Sequence, residues 1–361
     1  MFISSLGAIT AVDNRLDFKP AERVCTILVD GLGSANLKGA KGHAPFLNSA
    51  LATQGSISCG FPSTTAASIT SFATGLQAEK HGFVGYRILD RETDADVNLL
   101  TGWNRDLRGE LWQPQKTVSE LAIELGVDCF VIGPAEYEAS GFTMATMRSA
   151  KYVAARSISD RFESAAKLLK SNSKTLIYLY VPELDQAAHA LGTSSDRWLQ
   201  ALEALDSAVK QLCGSLTKGV GVVLTADHGI VNVAHHKHRF LDESPLVDFD
   251  VRLVGGDPRV PYIYLEPSEY SQIQTIKRLL QEWIGDEAWV LDKQQLIENF
   301  FAEATESAQT RLPDIAVLAR AEIALYHRGF AKPKSMQMIG QHGSISPKEL
   351  AVPLLKFGAL A

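Results

Sequence analysis

Acidic residues follow three short apolar runs of the chain, and two of them have a histidine close by. Asp30 ends "RVCTILVD", Asp185 ends "TLIYLYVPELD", and Asp227 ends "GVGVVLTAD" and is followed by His228. His189 lies four residues after Asp185, so on a helical turn the two side chains would point the same way. That pair alone also fits a surface ion pair, but three such carboxylates, two of them with a histidine nearby, indicate a metal-binding cleft.

A third imidazole comes late in the chain, where His342 stands between Gln341 and Gly343 in "GQHGS". Mixed sets of Asp and His ligands suit zinc, with manganese as the second choice. Two such metals about 4 Å apart can stabilise both the attacking and the leaving oxygen of a phosphoryl displacement. The residues therefore predict two divalent metal ions and a phosphorylated substrate.

Three consecutive hydroxyl residues, Ser63, Thr64 and Thr65, precede an alanine-rich helical pattern that ends at Gly75. One of them is expected to cap the helix, because hydroxyl oxygens accept hydrogen bonds from free backbone N–H groups. Another could be a nucleophile, since a helix N-terminus favours a bound phosphate. The residues themselves leave all three positions open for either role.

The elements that position these groups are strands buried on both faces of a sheet. Continuous runs of Val, Ile and Leu precede Asp30, Asp185 and Asp227, and helical patterns lie between the runs. One such helix, "SSDRWLQALEALDSAVKQL", is predicted to begin at a Ser194 or Ser195 cap and to bury a single apolar face, formed by Trp198, Leu202, Leu205, Val209 and Leu212. This alternation predicts an α/β fold with a mostly parallel sheet between helices, whose ligands gather at the carboxyl ends of the strands.

Composition favours one large domain over residues 1–361, because a chain with 46% hydrophobic residues can bury a large core. Residues 231–338 have a strand and helix pattern of their own, which predicts a small inserted α+β subdomain. Four scattered cysteines without CxxC spacing are expected to be free thiols.

The net charge of -6 argues against nucleic acid or an anionic membrane as the main partner. No apolar run reaches the ~20 residues of a membrane span, and the N-terminal residues lack the basic start of a signal peptide. A cytoplasmic location is therefore expected. Oligomeric state cannot be read from these patterns.

The segments "VDGLG", "FPSTTAASITSFATGLQAEKHG", "PELDQAAH", "TADHG" and "GQHGS", in this order, resemble the type I phosphodiesterase and nucleotide pyrophosphatase branch of the alkaline phosphatase superfamily. The resemblance implies a three-layer sandwich of helices around a mostly parallel sheet. It also implies two zinc ions, one held by Asp30, Asp227, His228 and the nucleophile, and the other by Asp185, His189 and His342. The family's spacing to "TGL" selects Thr65 as both the nucleophile and a metal ligand, and leaves Thr64 or Ser63 as the cap.

What the resemblance implies for function is hydrolysis of a phosphodiester or pyrophosphate bond in a small, nucleotide-like substrate, through a phosphothreonine intermediate. Two departures from the family's usual sequence put a preference for nucleotide substrates in question. Ala66, Ala67 and Ser68 replace the family's usual aromatic, proline and asparagine. Tyr86 takes the place of an asparagine that binds a phosphoryl oxygen, and its phenol can donate one hydrogen bond there.

Two alternatives stay open: a phosphonate or phosphomonoester hydrolase of the same superfamily, and a catalytically silent protein that binds metal or ligand. The sequence argues against a sulfatase, because Cys59 lacks the C-x-P-x-R arrangement. His81 is expected to support the nucleophile segment without binding metal. Trp103 and Arg148 are candidates for the substrate pocket, whereas the polar cluster of His235, His236 and His238 is expected to lie outside the site.

Overall fold

The computed structural model describes residues 1–103 and 108–361, without the side chains of residues 110 and 111. The strands of this described part are, in chain order, β1 (Arg23–Val29), β2 (Ser56–Ser58), β3 (Arg87–Asp90), β4 (Ala95–Asn98), β5 (Asp128–Gly133), β6 (Lys151–Ala154), β7 (Thr175–Val181), β8 (Val220–Ala226), β9 (Val231–Asn232), β10 (His238–Phe240), β11 (Val251–Asp257), β12 (Val260–Leu265), β13 (Ala288–Asp292), β14 (Ile315–Ala319), β15 (Ala324–Tyr326), β16 (Gly340–Gln341), β17 (Ala351–Pro353) and β18 (Leu355–Gly358).

The α-helices of the same part are α1 (Phe2–Thr10), α2 (Ser34–Gly39), α3 (Pro45–Gln54), α4 (Thr65–Thr74), α5 (Ala78–His81), α6 (Gly109–Trp112), α7 (Val118–Glu124), α8 (Gly141–Thr146), α9 (Ile158–Leu168), α10 (Glu183–Leu191), α11 (Asp196–Gly214), α12 (Ile273–Ile284), α13 (Lys293–Phe300), α14 (Glu306–Arg311) and α15 (Pro347–Leu350). Short 3-10 turns connect several of them, at Ala135–Tyr137, His235–Lys237, Leu241–Glu243, Pro245–Asp248, Pro267–Gln272, Gly285–Glu287 and Ser335–Gln337.

The central sheet has six strands in the order β18-β8-β1-β7-β5-β6. Five of these strands run parallel, and β18 pairs antiparallel with β8 at one edge. This is the mostly parallel sheet that the apolar runs predict, since strands buried on both faces need no alternation of apolar and polar residues.

Alternate residues of β1 enter two separate apolar cores. Cys25 and Ile27 pack in the core that includes Trp198 of α11, whereas Val24 and Leu28 pack in the core that includes Phe72 of α4. Successive side chains of a strand point to opposite faces, so the sheet is covered by helices on both sides. The molecule therefore has the predicted three layers around its central sheet.

Helix α11 agrees closely with its prediction. Its N-cap is Ser195, whose hydroxyl accepts a hydrogen bond from the Trp198 N–H, and the predicted apolar face is buried. The cap satisfies one of the free N–H groups at the helix start.

A second sheet lies within the segment 231–338 and has the strand order β11-β12-β14-β13. These pairs are antiparallel, and α12 packs on the sheet through Ile276 and Leu280. The mixture of strands and helices agrees with the predicted pattern, while the division of the chain into a domain and a subdomain stays a prediction.

Cys25, Cys59, Cys129 and Cys213 are all free thiols, as expected from their spacing. Among the described residues, no helix combines the length and apolar character that crossing a membrane requires.

Candidate active site

The carboxyl ends of three neighbouring strands bring the predicted ligands together. Strand β1 lies between β7 and β8, and the register places its last residue, Val29, beside Val181 and Ala226. Asp30 follows β1 and Asp227 follows β8 directly, while β7 leads into α10 after a single proline. Parallel strands that end level with one another therefore place three acidic segments at one edge of the sheet.

Helix α10 carries Asp185 and His189 one turn apart, as the spacing predicts. Asp185 Oδ2 lies 3.3 Å from His189 Nε2. His342 arrives from the segment after β16, and its ring centroid is 5.2 Å from that of His189. Ligand atoms of Asp185, His189 and His342 all lie within 4.8 Å of one another. The structure thus assembles the set predicted for one metal.

The other predicted set surrounds His228. Its Nε2 is 3.3 Å from Asp30 Oδ1 and 3.6 Å from Asp227 Oδ2. Thr65 Oγ1 lies 3.1 Å from the same nitrogen. Asp30, Asp185 and His228 also form a group within 4.8 Å, so Asp185 stands between the two sets. All seven predicted metal ligands, Thr65 among them, consequently share one cleft.

The three histidines present the same nitrogen to this cleft. Nδ1 of His189 lies 2.7 Å from the Gly340 carbonyl oxygen, Nδ1 of His342 lies 2.9 Å from that of Ser63, and Nδ1 of His228 lies 3.2 Å from that of Gly229. A carbonyl only accepts, so each Nδ1 carries a proton, and Nε2 is the nitrogen that can offer a lone pair to a metal when the ring is neutral. This orientation is typical of metal-binding histidines, which use the other ring nitrogen to donate to a carbonyl or carboxylate.

Several carboxylate oxygens of the cleft are buried without a hydrogen-bond partner in the described part of the chain. They are Asp30 Oδ1, Asp185 Oδ1 and Asp227 Oδ2. The second oxygen of Asp227 is held by the N–H groups of Gly31 and His228, at 3.1 and 2.9 Å. A buried carboxylate oxygen without a partner is costly. The residues present therefore fit two divalent cations, which such oxygens and the free imidazole nitrogens would bind.

Electrostatics at the site also favour cations. Burial raises the pKa of Asp185 to about 6, and burial together with the Asp30 charge raises that of Asp227 well above its usual value. Burial opposes ionisation of His228, but the charges of Asp227 and Asp30 outweigh it and raise its pKa to about 10. Negative charge is crowded here and draws a compensating positive charge.

Thr65 is the first residue of α4, with its side chain in the cleft, while Thr64 occupies the N-cap position. The prediction that Thr64 or Ser63 caps this helix by its hydroxyl is wrong. Thr64 Oγ1 is buried and makes no hydrogen bond to any described residue, the N–H groups of α4 included, and the Ser63 hydroxyl donates to the Ser344 carbonyl oxygen at 2.7 Å. Contacts with the His342 segment occupy Ser63 instead, and they tie that segment to the nucleophile loop.

A cavity of about 750 Å³ opens next to Thr65. Tyr86 and Trp103 line it, as predicted, together with the aromatic side chains of Phe142, Tyr152 and Tyr178. Arg148 does not line it, because its guanidinium group is bound to the carbonyl oxygens of Gln113, Ala145 and Gln115 and to Glu120. The prediction that Arg148 lines the substrate pocket is therefore wrong.

His81 has the supporting role expected of it. It is buried, its Nε2 lies 2.9 Å from Ser71 Oγ of α4, and its Nδ1 accepts from the Phe83 N–H. The histidines at 235, 236 and 238 do not line the cavity.

Two residues at the site were missed from sequence. Tyr180 of β7 donates its hydroxyl to Asp30 Oδ2, and Asp257 ends β11 and lines the cavity. A strand followed by an acidic residue is the signal that selected the other carboxylates, and the run "VRLVGGD" carries it too. Tyr180 had no such signal, because it reads as one more apolar strand residue.

Comparison with known families decides the class of this site. The model of the family described as type I phosphodiesterase / nucleotide pyrophosphatase matches residues 24–345. The chain belongs to the type I phosphodiesterase / nucleotide pyrophosphatase family. It is therefore a hydrolase that acts on phosphodiester or pyrophosphate bonds.

Solved structures show the same fold for this family member. Human ectonucleotide pyrophosphatase/phosphodiesterase 5 superposes with a TM-score of 0.70 at 16% identity, covering 93% of this chain and 87% of the human one. The murine protein of that name superposes with a TM-score of 0.72 at 16% identity, covering 93% of this chain and 88% of that one. An inactive murine variant in complex with AMP gives a TM-score of 0.72 at 15% identity, again covering 93% of this chain and 88% of that one. The predicted alkaline-phosphatase-like fold is confirmed.

Proposed function

We propose that the protein hydrolyses phosphodiester or pyrophosphate bonds of a small substrate through a covalent phosphothreonine ester on Thr65, at a site for two divalent metals. The observation that carries the proposal is the convergence of three imidazole Nε2 atoms and three carboxylate oxygens in the cleft that holds the Thr65 hydroxyl, where these oxygens have no hydrogen-bond partner among the described residues. Zinc is the preferred metal for such Asp and His sets, and manganese the second choice.

The residues divide into two metal-holding sets in this proposal. Asp30, Asp227 and His228 would hold one ion together with Thr65, and Asp185, His189 and His342 would hold the other. The ions would supply the acidification of the attacking hydroxyl and water and the neutralisation of charge on the phosphoryl oxygens.

Thr65 acts as the nucleophile on phosphorus. Its hydroxyl lies 3.1 Å from His228 Nε2 in a buried cleft, and the free N–H groups of the first turn of α4 point towards the place where the phosphoryl oxygens develop charge. The P–O bond to the leaving group breaks as the Thr65–O–P bond forms. Water then cleaves the ester and returns the Thr65 hydroxyl.

Tyr86 is the proposed donor to a phosphoryl oxygen. It lines the cavity beside Thr65, and burial raises the pKa of its phenol, which keeps the proton in place. A neutral phenol donates one hydrogen bond, where an amide could offer two.

Nucleotides belong among the test substrates because the murine structural neighbour binds AMP. Phosphonates and phosphomonoesters are the alternative substrates within the same chemistry. The cytoplasmic location stays a prediction.

The experiment is a side-by-side assay of zinc-loaded and manganese-loaded protein with bis(p-nitrophenyl) phosphate, p-nitrophenyl phosphate, nucleotide sugars and dinucleotides. We expect turnover of at least one diester or pyrophosphate that is lost in Thr65→Ala. Stoichiometric metal binding without turnover of any of these substrates would favour a silent metal-binding protein instead.

A further inference from the structure

A fourth acidic residue reaches the cleft from the second sheet. Asp257, the last residue of β11, lines the same cavity as Thr65 and Tyr86. It is only 7% exposed, and its Oδ2 has no hydrogen-bond partner among the residues that the structure describes. None of the roles assigned above uses this carboxylate, and leaving it buried without a partner has a cost.

Asp257 packs against the segment that follows a metal ligand. Gly343, next to His342, has a φ of +123°, and a Cβ placed there would lie 2.7 Å from Asp257 Cβ and 3.2 Å from its Cγ. Gly343 also forms a bridge with Ser63, two residues before the nucleophile. On the opposite side, the charge of Asp257 adds to burial in raising the pKa of Tyr86. The carboxylate therefore stands beside the place where the phosphoryl group would bind.

In the metal-free protein the positive charge that acts on Asp257 is that of His228, a predicted metal ligand whose ring must be neutral to bind an ion. Other cations are missing from the described lining of the cavity. That lining contains no Lys or Arg, although it includes the acidic residues Asp30, Glu136 and Asp185. Arg259, two residues along the chain, is fully buried and saturated by Glu349, with Nε–Oε1 and Nη2–Oε2 distances of 2.8 Å. The four positive charges of the two metals would be balanced by their own three carboxylates together with the Thr65 alkoxide, which leaves Asp257 as an additional negative charge.

A phosphodiester carries one negative charge at the phosphoryl group, and a phosphomonoester dianion carries two. Like charges a few ångströms apart in a poorly solvated cleft repel strongly. We propose that Asp257 is a specificity residue that disfavours the dianionic phosphoryl group of a monoester, so that the second sheet sets the preference of the site for diesters. This inference rests on the proposed function and adds to it the residue that selects the substrate class.

The test compares two substrates with the same leaving group, p-nitrophenyl phosphate and ethyl p-nitrophenyl phosphate. They differ by one ethyl group and one negative charge. The assays use zinc-loaded wild type, Asp257→Asn and Asp250→Asn at pH 9, above the pKa of about 7 to which burial raises Asp257. Asp250→Asn is the matched control, because it makes the same change of charge at an exposed residue next to β11.

We expect the wild type to prefer the diester. Asp257→Asn should raise the ratio of monoester to diester kcat/KM by about tenfold, a size typical of one nearby charge in a partly screened site. Asp250→Asn should leave the ratio unchanged. A folded Asp257→Asn protein whose ratio stays at the wild-type value, or a ratio that moves equally in both variants, would overturn the assignment.

A binding measurement separates this inference from the proposed function. Calorimetry would compare phenyl phosphate with ethyl phenyl phosphate, using zinc-loaded Thr65→Ala with and without Asp257→Asn. The double variant should gain affinity for phenyl phosphate relative to the diester. An unchanged ratio of the two affinities would refute the role of Asp257. Absence of diester turnover in every variant would refute the proposed function, and the affinity ratio would then still test the role of Asp257.

Discussion

Thr64 and Thr65 are neighbours with different surroundings, and the structure separates their roles. Thr65 Oγ1 lies 3.1 Å from His228 Nε2, whereas Thr64 Oγ1 is buried and has no hydrogen-bond partner among the residues described. A side chain that touches the metal-binding set is suited to nucleophilic attack. A hydroxyl that does not cap the helix contributes little of the ~1 kcal/mol of stability expected from a cap.

Replacing Thr65 should therefore abolish turnover without unfolding the protein. We expect Thr65→Ala to lower kcat/KM for a diester by about 1,000-fold or more, because an activated nucleophile is lost, while Thr65→Ser keeps part of the activity. Steady-state kinetics and circular dichroism check both statements. Thr70→Ala, a buried threonine farther along α4, is the matched control and should stay active. Comparable activity in Thr65→Ala would remove Thr65 from the mechanism.

In metal-free protein, ionisation of Asp257 should make the free energy of unfolding depend on pH. Burial raises its folded-state pKa from 3.8 to about 7, so the folded state holds a proton that the unfolded state has lost. The free energy of unfolding should consequently fall as pH rises from about 4 through about 7, and Asp257→Asn should lose less stability than the wild type over that window. Denaturant titrations in EDTA at pH 5 and pH 8 measure this. Equal losses of unfolding free energy in the two proteins would show that ionisation of Asp257 does not destabilise the fold.

At the scale of elements, the site is formed by the ends of two strands, by helices α4 and α10, and by the segment after β16. Strands β1 and β8 end at Asp30 and Asp227, α10 supplies Asp185 and His189, and the segment after β16 supplies His342. The hydrogen bonds from His342 Nδ1 to the Ser63 carbonyl oxygen and from the Gly343 N–H to Ser63 Oγ fasten the last loop to the nucleophile loop, at 2.9 and 3.2 Å.

Ligands from different elements should be equally necessary. Asp185→Ala on α10 and His342→Ala on the late loop are each expected to remove turnover and to lower metal content, with circular dichroism unchanged, because each holds the same ion in the proposal. His236→Ala, in the exposed cluster after β9, is the control and should retain both. Metal analysis and diester kinetics measure these two effects. Normal activity in Asp185→Ala or His342→Ala would exclude that residue from the site.

Local sequence patterns predict part of the fold and of the site, whereas contacts between distant segments determine the rest. The apolar runs before Asp30 and Asp227 and the periodicity of α11 report burial and period, which local sequence encodes. Local sequence does not determine whether the Thr64 hydroxyl caps α4 or where the Arg148 side chain lies. Both depend on contacts between distant segments, such as Ser63 with Ser344 or Arg148 with Gln113. Tyr180 was hidden for the same reason, since an apolar strand pattern does not tell which hydroxyl meets a carboxylate.

At the scale of the whole molecule, metal binding should stabilise the fold. The predicted ligands are spread from Asp30 to His342, so bound ions would connect segments far apart in the chain. Ions that bind only the folded state add about 4 kcal/mol at a free concentration 1,000 times their Kd. We therefore expect zinc to raise the melting temperature of EDTA-treated protein by several degrees.

Calorimetric scans with and without zinc measure this shift. The shift should be smaller in His342→Ala and unchanged in His236→Ala. An identical shift in all three proteins would place the stabilising metal outside the cleft.

The central claim is a covalent ester on Thr65, and rapid acid quenching of zinc-loaded protein with excess ethyl p-nitrophenyl phosphate tests it most directly. Peptide mapping by mass spectrometry locates the label, and Thr65→Ala serves as the blank. The account predicts an ethyl phosphoryl group on Thr65 that appears with the first turnover and is missing from Thr65→Ala. A label on Thr64 or Ser63, or full turnover without any labelled hydroxyl in the peptide containing residues 60–75, would contradict it.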